Sequence, residues 1–184
     1  QLSRVFLQLW LPHPPELLFP PAGKSQFSMT TSLSISVGQH SEAGAKPMNQ
    51  DFHGLLVPTG RQLVTKGIAV AIADGISSSD VSQIASESAV AGFLNDYFST
   101  PESWSVKQSA QRVLRATNAW LYAQTRQSQY RYDRDRGYIC TLSVMVLKSA
   151  TAHLFHVGDA RIYRVHPEQL EQVSTDHRLW ISRE

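Results

Sequence analysis

Three aspartates stand where an apolar strand meets a turn: Asp51 after "KPMNQ", Asp74 at the end of "GIAVAIAD" and Asp159 in "HLFHVGDA". If the stretches Phe52–Val57 and Gly67–Asp74 pair as a hairpin, the start of one lies beside the end of the other. Asp51 and Asp74 then share one end of a sheet. Paired carboxylates of this kind suit hard cations such as Mg²⁺ or Mn²⁺, which prefer oxygen ligands. The carbonyl of Gly75 can add a ligand, because glycine lets an ion or water approach the backbone. Asp-Gly is also a turn signal, and between two strands it would mark a type I′ hairpin. The residues after it argue otherwise. Val81, Ile84, Ala85, Ser88, Ala89, Leu94 and Tyr97 recur at helical spacing, and Asp80 with Gln83 resembles a capping pair. Asp159, read alone, is another turn whose side chain accepts backbone N–H groups. Arg161, two residues on, is expected to pair with an acid or to anchor the turn.

The remaining reactive side chains read as structural. His153 and His156 are three apart on a strand, so they face opposite ways and cannot chelate one ion together. His40 and His53 fall in a loop or at a strand edge, and His177 in "STDH" is expected to cap a turn. Cys140 sits mid-strand with no neighbouring base, as a buried inert thiol does. There is no G-x-x-x-x-G-K loop, no H-E-x-x-H and no Cys–His zinc spacing.

The elements that must position the acids follow from periodicity. "SLSISV" alternates and predicts a half-buried strand, "FHGLLV" a short one closed by Pro58 and Gly60. "GIAVAIAD" carries Ile68, Val70 and Ile72 on one face and Ala69, Ala71 and Ala73 on the other. Both faces are apolar, so the strand is central, and the alanine face admits a close second layer. A helix to about Phe98 and a second through Val106, Ala110, Val113, Leu114, Trp120 and Leu121 are expected to lie antiparallel. "QSQYRYDRDRG" reads as a solvated loop, or as a peptide contact. Four strands follow, within "YICTLSVMVLK", "TAHLFHVGD", "RIYRV" and "QLEQVS". Strands, two helices, then a strand meander predict an α+β fold with helices on antiparallel sheet.

The chain has 184 residues, 42% of them hydrophobic and 17% charged, with net charge +2. That length carries one sizeable core. The near-neutral balance argues against nucleic acid as the main partner. A single cysteine excludes an internal disulfide framework and fits a reducing, cytoplasmic setting. No stretch approaches the roughly 18 apolar residues of a membrane span. Residues 1–28 are broken by five prolines and have no period. They are expected to be disordered or a non-native extension, with Met29 a candidate original start.

Taken together, "NQD", "VAIADG", "CTLSVMVL", "HVGDARIYRV" and "STDH" resemble, in order and spacing, the metal-dependent protein Ser/Thr phosphatases (PPM, type 2C). The detail "ADGISSSDVSQIASE" with "YDRDRGYICTLS" looks most like the phosphatase half of bacterial bifunctional phosphatase–kinase proteins. The resemblance covers about Ser32 to His177. It implies an α-β-β-α sandwich of two antiparallel sheets flanked by helices, forming one phosphatase domain over residues 29–184. It further implies Mn²⁺ or Mg²⁺, two ions or three, at one end of the stacked sheets. By motif position Asp51, Asp74 and the Gly75 carbonyl would hold the metal pair, and Asp159 would help bind a third. Lys46 stands where the family usually has a phosphate-binding Arg, which keeps the charge but loses the bidentate fork. Gln50 stands where many members have Glu.

Two departures matter. The family's "DG-x-GG" reads Asp74-Gly75-Ile76-Ser77-Ser78 here, and Ile76 cannot donate a proton. The later Asp-Gly and Asp-Asn motifs have no counterpart, so a C-terminally truncated catalytic domain is expected. The implied activity is hydrolysis of phosphoserine and phosphothreonine in a phosphorylated protein substrate by a metal-activated water. A kinase domain in the same parent chain is the implied neighbour. The alternative is a catalytically incomplete regulatory or binding module on the same fold.

Overall fold

The structure, a computed structural model, describes residues 4–8, 33–133 and 135–177. Its centre is a four-stranded antiparallel sheet of β3 (Asp51–Leu56), β4 (Ile68–Asp74), β5 (Leu142–Lys148) and β6 (Thr151–Val157), in that spatial order. Two antiparallel ribbons accompany it, β1 (Arg4–Gln8) with β2 (Ser36–His40) and β7 (Tyr163–His166) with β8 (Gln169–Gln172). The α+β class is as expected. Among the described residues, the further antiparallel strands form two separate ribbons rather than one continuous sheet.

Helices α2 (Ser82–Ser99) and α3 (Val106–Gln127) cover one face of the sheet. The alanine face of β4 makes this possible. Ala69, Ala71 and Ala73 lie in one core cluster with Val90, Phe93 and Tyr97 of α2, Val106, Ala110 and Val113 of α3, and Val144 and Val146 of β5. Small side chains on the sheet let α2 come close. A Cβ at Gly54 would stand 2.8 Å from Leu94 and 3.0 Å from Val90. Burial of this cluster is the main driving force for the layer, at about 25 cal/mol per Å² of apolar surface.

At the far end of the sheet from Asp74, Lys66 is fully buried. Its ammonium donates to Thr100 Oγ1 (2.6 Å), the Pro101 carbonyl (2.8 Å) and Ser109 Oγ (3.1 Å). All three donors are therefore satisfied, and the cation sits at the C-terminus of α2, where the helix dipole favours it. Tyr97 Oη donates to the Lys66 carbonyl at 2.9 Å. This knot fixes the junction of α2 and α3.

Several local expectations differ from the structure. β3 and β4 pair antiparallel but are joined by a short helix, α1 (Gly60–Lys66), rather than a tight turn. "GRQLVTK" is too short to show a helical period, and Gly67, at φ +79°, ends it. The strand expected at "SLSISV" lies downstream as β2, with all five residues exposed. It pairs with β1, which falls inside the segment expected as an extension. The rest of residues 1–28 lies outside the described residues. Asp80 does not cap α2, whose N-cap is Val81 with no side-chain bond. Its carboxylate instead accepts from Arg136 Nη2 (3.0 Å) and Tyr130 Oη (3.1 Å).

Candidate active site at the end of the central strand

The register of β3 and β4 sets Asp51 directly opposite Asp74. Successive side chains of a strand alternate faces, so cross-strand partners project to the same side. Asp51 and Asp74 thus meet on the face of the sheet away from the helices. The backbone holds Asp74 from both sides. Its N–H donates to Thr141 Oγ1 (3.0 Å), and its carbonyl accepts from Thr141 N (2.8 Å). Gly75 N–H donates to the Gln50 carbonyl at 3.0 Å. Gly75 must lack a side chain here, because a Cβ would stand 2.7 Å from the Ser82 carbonyl in the first turn of α2.

A cleft of about 390 Å³ opens at this sheet end. Lys46, Asp74, Gly75, Ile76, Ser77, Thr141 and Asp159 line it. Lys46 Nζ donates to Ser77 Oγ at 2.7 Å, which ties the cation to the loop after Asp74. Burial pushes the Asp74 carboxyl up from 3.8 to about 6. A hydrogen bond to the Asp51 carboxylate and that group's charge contribute to the same rise, Lys46 opposes it, and Asp159 adds a smaller upward push. Two carboxylates this close resist joint ionisation unless a cation joins them. Asp51 Oδ1 is buried and has no hydrogen-bond partner, an arrangement that costs free energy in a folded chain. The donor set and the orphaned oxygen fit a divalent cation bound through oxygen. Among the described residues, no group of three or more His, Cys, Asp or Glu side chains converges closely enough to hold one. Asp159 shares the cleft without completing such a trio.

Four residues support the site through bonds that the sequence did not show. Gln50 is buried, and its amide donates to the carbonyls of Ile76 (3.3 Å) and Ser79 (3.1 Å) and to Ser82 Oγ (2.6 Å). A Glu could not make these donations, so Gln at this position holds the loop. Ser79 Oγ reaches the carbonyls of Arg136 (2.7 Å) and Gly137 (2.8 Å), and Ser78 Oγ that of Asp135. The segment "QSQYRYDRDRG" is therefore solvated only in part. Tyr132 is 83% exposed, while Tyr130 is buried and the DRG turn is clasped to the site loop. Thr141 lines the cleft as well as gripping Asp74. The alternating pattern of its strand signals burial but not this bond.

The Asp159 turn is braced from the next loop. Arg161 makes a bidentate pair with Asp176, Nη2 to Oδ2 at 2.7 Å and Nε to Oδ1 at 3.0 Å. His177 N–H donates to the Gly158 carbonyl at 2.8 Å. The histidines keep structural roles: His53 Nε2 lies 3.0 Å from Gln39 Oε1, and His156 Nδ1 lies 2.9 Å from Ser143 Oγ. Burial, with the nearby Asp74 charge, pushes the Cys140 thiol up to about 12, so it is inert at neutral pH.

Comparison with known proteins agrees with this architecture. The serine/threonine phosphatase Stp1 from Staphylococcus aureus aligns over 75% of this chain and 52% of its own, with TM-score 0.60 and 18% identity. A bacterial serine phosphatase bearing a point mutation aligns over 77% of this chain and 64% of its own, with TM-score 0.59 and 20% identity. The Mycobacterium tuberculosis serine/threonine phosphatase PstP/Ppp aligns over 68% of this chain and 55% of its own, with TM-score 0.50 and 20% identity. At these identities the likeness is one of fold, and the chain spans less than two thirds of each of these structures. No curated protein matches the chain in sequence. The family profile of protein phosphatase 2C matches residues 38–183, well over half of the sequence, and the chain belongs to that family.

Proposed function

We propose that this chain acts as a metal-dependent protein serine/threonine phosphatase. The observation that carries the reading is the cross-strand pair Asp51–Asp74, with an orphaned buried oxygen, beside a cleft that holds Lys46. Asp51 and Asp74 would hold divalent cations, Mn²⁺ or Mg²⁺, with the Gly75 carbonyl beside them and Asp159 as a looser contributor. When bound, the ions supply a nucleophilic water at neutral pH and offset charge on the phosphoryl oxygens. Lys46, held by Ser77, places one positive charge at the cleft wall for the phosphate of a phosphoserine or phosphothreonine protein. It does so without the fork of an arginine, so it attracts the phosphate more than it orients it. Ile76 lines the cleft and has no proton to give, so the leaving alkoxide takes its proton from water. Above about pH 6 Asp74 is ionised and ready to bind a cation.

A kinase domain in the same parent chain and a cytoplasmic setting belong to the same reading. The motif resemblance supports the first and the single cysteine the second. Among the described residues no helix is long and apolar enough to cross a membrane. The test is phosphate release from a phosphoserine peptide, with Mn²⁺ and with excess chelator. Chelator-sensitive release, lost in Asp74→Asn, is expected. Release that survives both treatments contradicts the assignment. Mn²⁺ binding without release identifies a binding module instead.

A further inference from the structure

The two helices that cover the sheet are oppositely charged. α2 carries Glu87 and Asp96 and no Lys or Arg. α3 carries Lys107, Arg112, Arg115 and Arg126 and no Asp or Glu over 22 residues. Val106, Ser109, Ala110 and Val113 face the core, so the cations occupy the opposite, exposed side. In the N-terminal half of α3 this side forms a second cleft, of about 420 Å³, lined by Trp104, Lys107, Gln108, Gln111, Arg112 and Arg115. The nearest acid in sequence, Glu102, is taken by Arg61 at 2.7 Å. Downstream, exposed Tyr122 and Arg126 continue this face toward the DRG turn.

From this charge pattern we propose that the α3 cleft is a docking site for an acidic peptide segment of the phosphoprotein substrate, which rests on the phosphatase reading above. Three cations around an indole, with two amides between them, match carboxylate side chains on an extended chain. Around this cleft the apolar residues Val106, Ala110 and Val113 are spent in the core, so this half of the helix cannot lie in a membrane by burying them. Four cations on one broad face, in a chain of net charge +2, form a small electrostatic footprint for a nucleic acid.

Geometry sets a spacing rule. α2 begins against Gly75 at the catalytic end and finishes beside Lys66 at the other end, where α3 begins. Its 18 residues span about 27 Å at 1.5 Å each. A peptide reaching from the acidic cleft to the α3 cleft must also pass around the sheet and helix layers, so it needs at least about eight extended residues.

The test compares wild type with Lys107→Glu/Arg112→Glu/Arg115→Glu, and with the milder Lys107→Gln/Arg112→Gln/Arg115→Gln in case charge reversal impairs folding. Fluorescence anisotropy with an unphosphorylated Asp/Glu-rich 12-residue peptide should show binding to wild type, weakened at least tenfold by either variant. With phosphopeptides, an acidic tract about eight or more residues from the phosphoserine should lower KM several-fold. A tract three residues away should not, and p-nitrophenyl phosphate turnover should be equal in all three proteins. Equal peptide binding by wild type and variants overturns the proposal. So does tighter binding of a single-stranded oligonucleotide or of phosphatidylserine vesicles, or a KM indifferent to the tract. Loss of turnover on every substrate would sink the phosphatase reading, while the anisotropy result would still decide the cleft.

Discussion

The two ends of the central sheet treat buried charge in opposite ways. At one end the Lys66 ammonium is enclosed and gives all three of its protons to named acceptors. At the other, Asp51 and Asp74 are pressed together, one oxygen has no partner, and burial together with the Asp51 carboxylate raises Asp74 to about 6. Both ends lie on the same strands and the same helix, so the contrast is not one of packing quality. A charge that holds structure is satisfied within the chain. A charge that serves chemistry is left wanting a partner from outside.

That contrast can be broken at either end. The largest expected effect is on turnover. Asp74→Asn or Asp51→Asn should lower Mn²⁺-dependent phosphate release by at least about a thousandfold, roughly 4 kcal/mol of transition-state stabilisation. Single-turnover assays would check it. At the other end, Lys66→Met leaves the Thr100 and Ser109 hydroxyls and the Pro101 carbonyl short of a donor. A loss of about 1–3 kcal/mol in urea unfolding is expected, with p-nitrophenyl phosphate KM unchanged in the folded protein.

The third effect is smaller and has the opposite sign. A carboxyl raised on folding binds its proton more tightly in the native state than in the unfolded chain. Its contribution to stability is therefore full below about pH 4 and is lost as pH rises through about 6. Asp74→Asn should stabilise the metal-free protein at pH 7 by about 1 kcal/mol, after allowance for the solvent that screens a half-exposed group. The gain should vanish near pH 3, which thermal melts across that range would show. The smallest effect is expected at Lys46→Arg, where the fork should lower KM for a phosphopeptide about two- to threefold with kcat little changed.

Much of the central layer was legible because its signals are periodic. The alanine face of β4 announced the close approach of α2, and both helices lie where the spacings put them, but Ile84 and Trp120, expected on the buried stripes, are 50% and 46% exposed. The hairpin assumption was wrong about the connection yet right about the register. Antiparallel pairing puts Asp51 opposite Asp74 whether a turn or α1 intervenes. What escaped was polar and non-local. The amide of Gln50 reaches residues 26 to 32 positions away, and the Ser79 hydroxyl reaches carbonyls 57 and 58 positions away. Serines and a glutamine in such bonds look like surface residues in a one-dimensional pattern. Asp80 illustrates the same limit. Its spacing from Gln83 suggested a local cap, and a distant arginine took the carboxylate instead.

The central claim is that the Asp51–Asp74 pair is completed by a divalent cation. Titration of the protein with Mn²⁺, following loss of the free ion's electron paramagnetic resonance signal, tests it without requiring turnover. Saturable binding in wild type, weakened at least tenfold in Asp51→Asn and in Asp74→Asn, is the predicted result. Equal binding in all three proteins, or none in any, would contradict it.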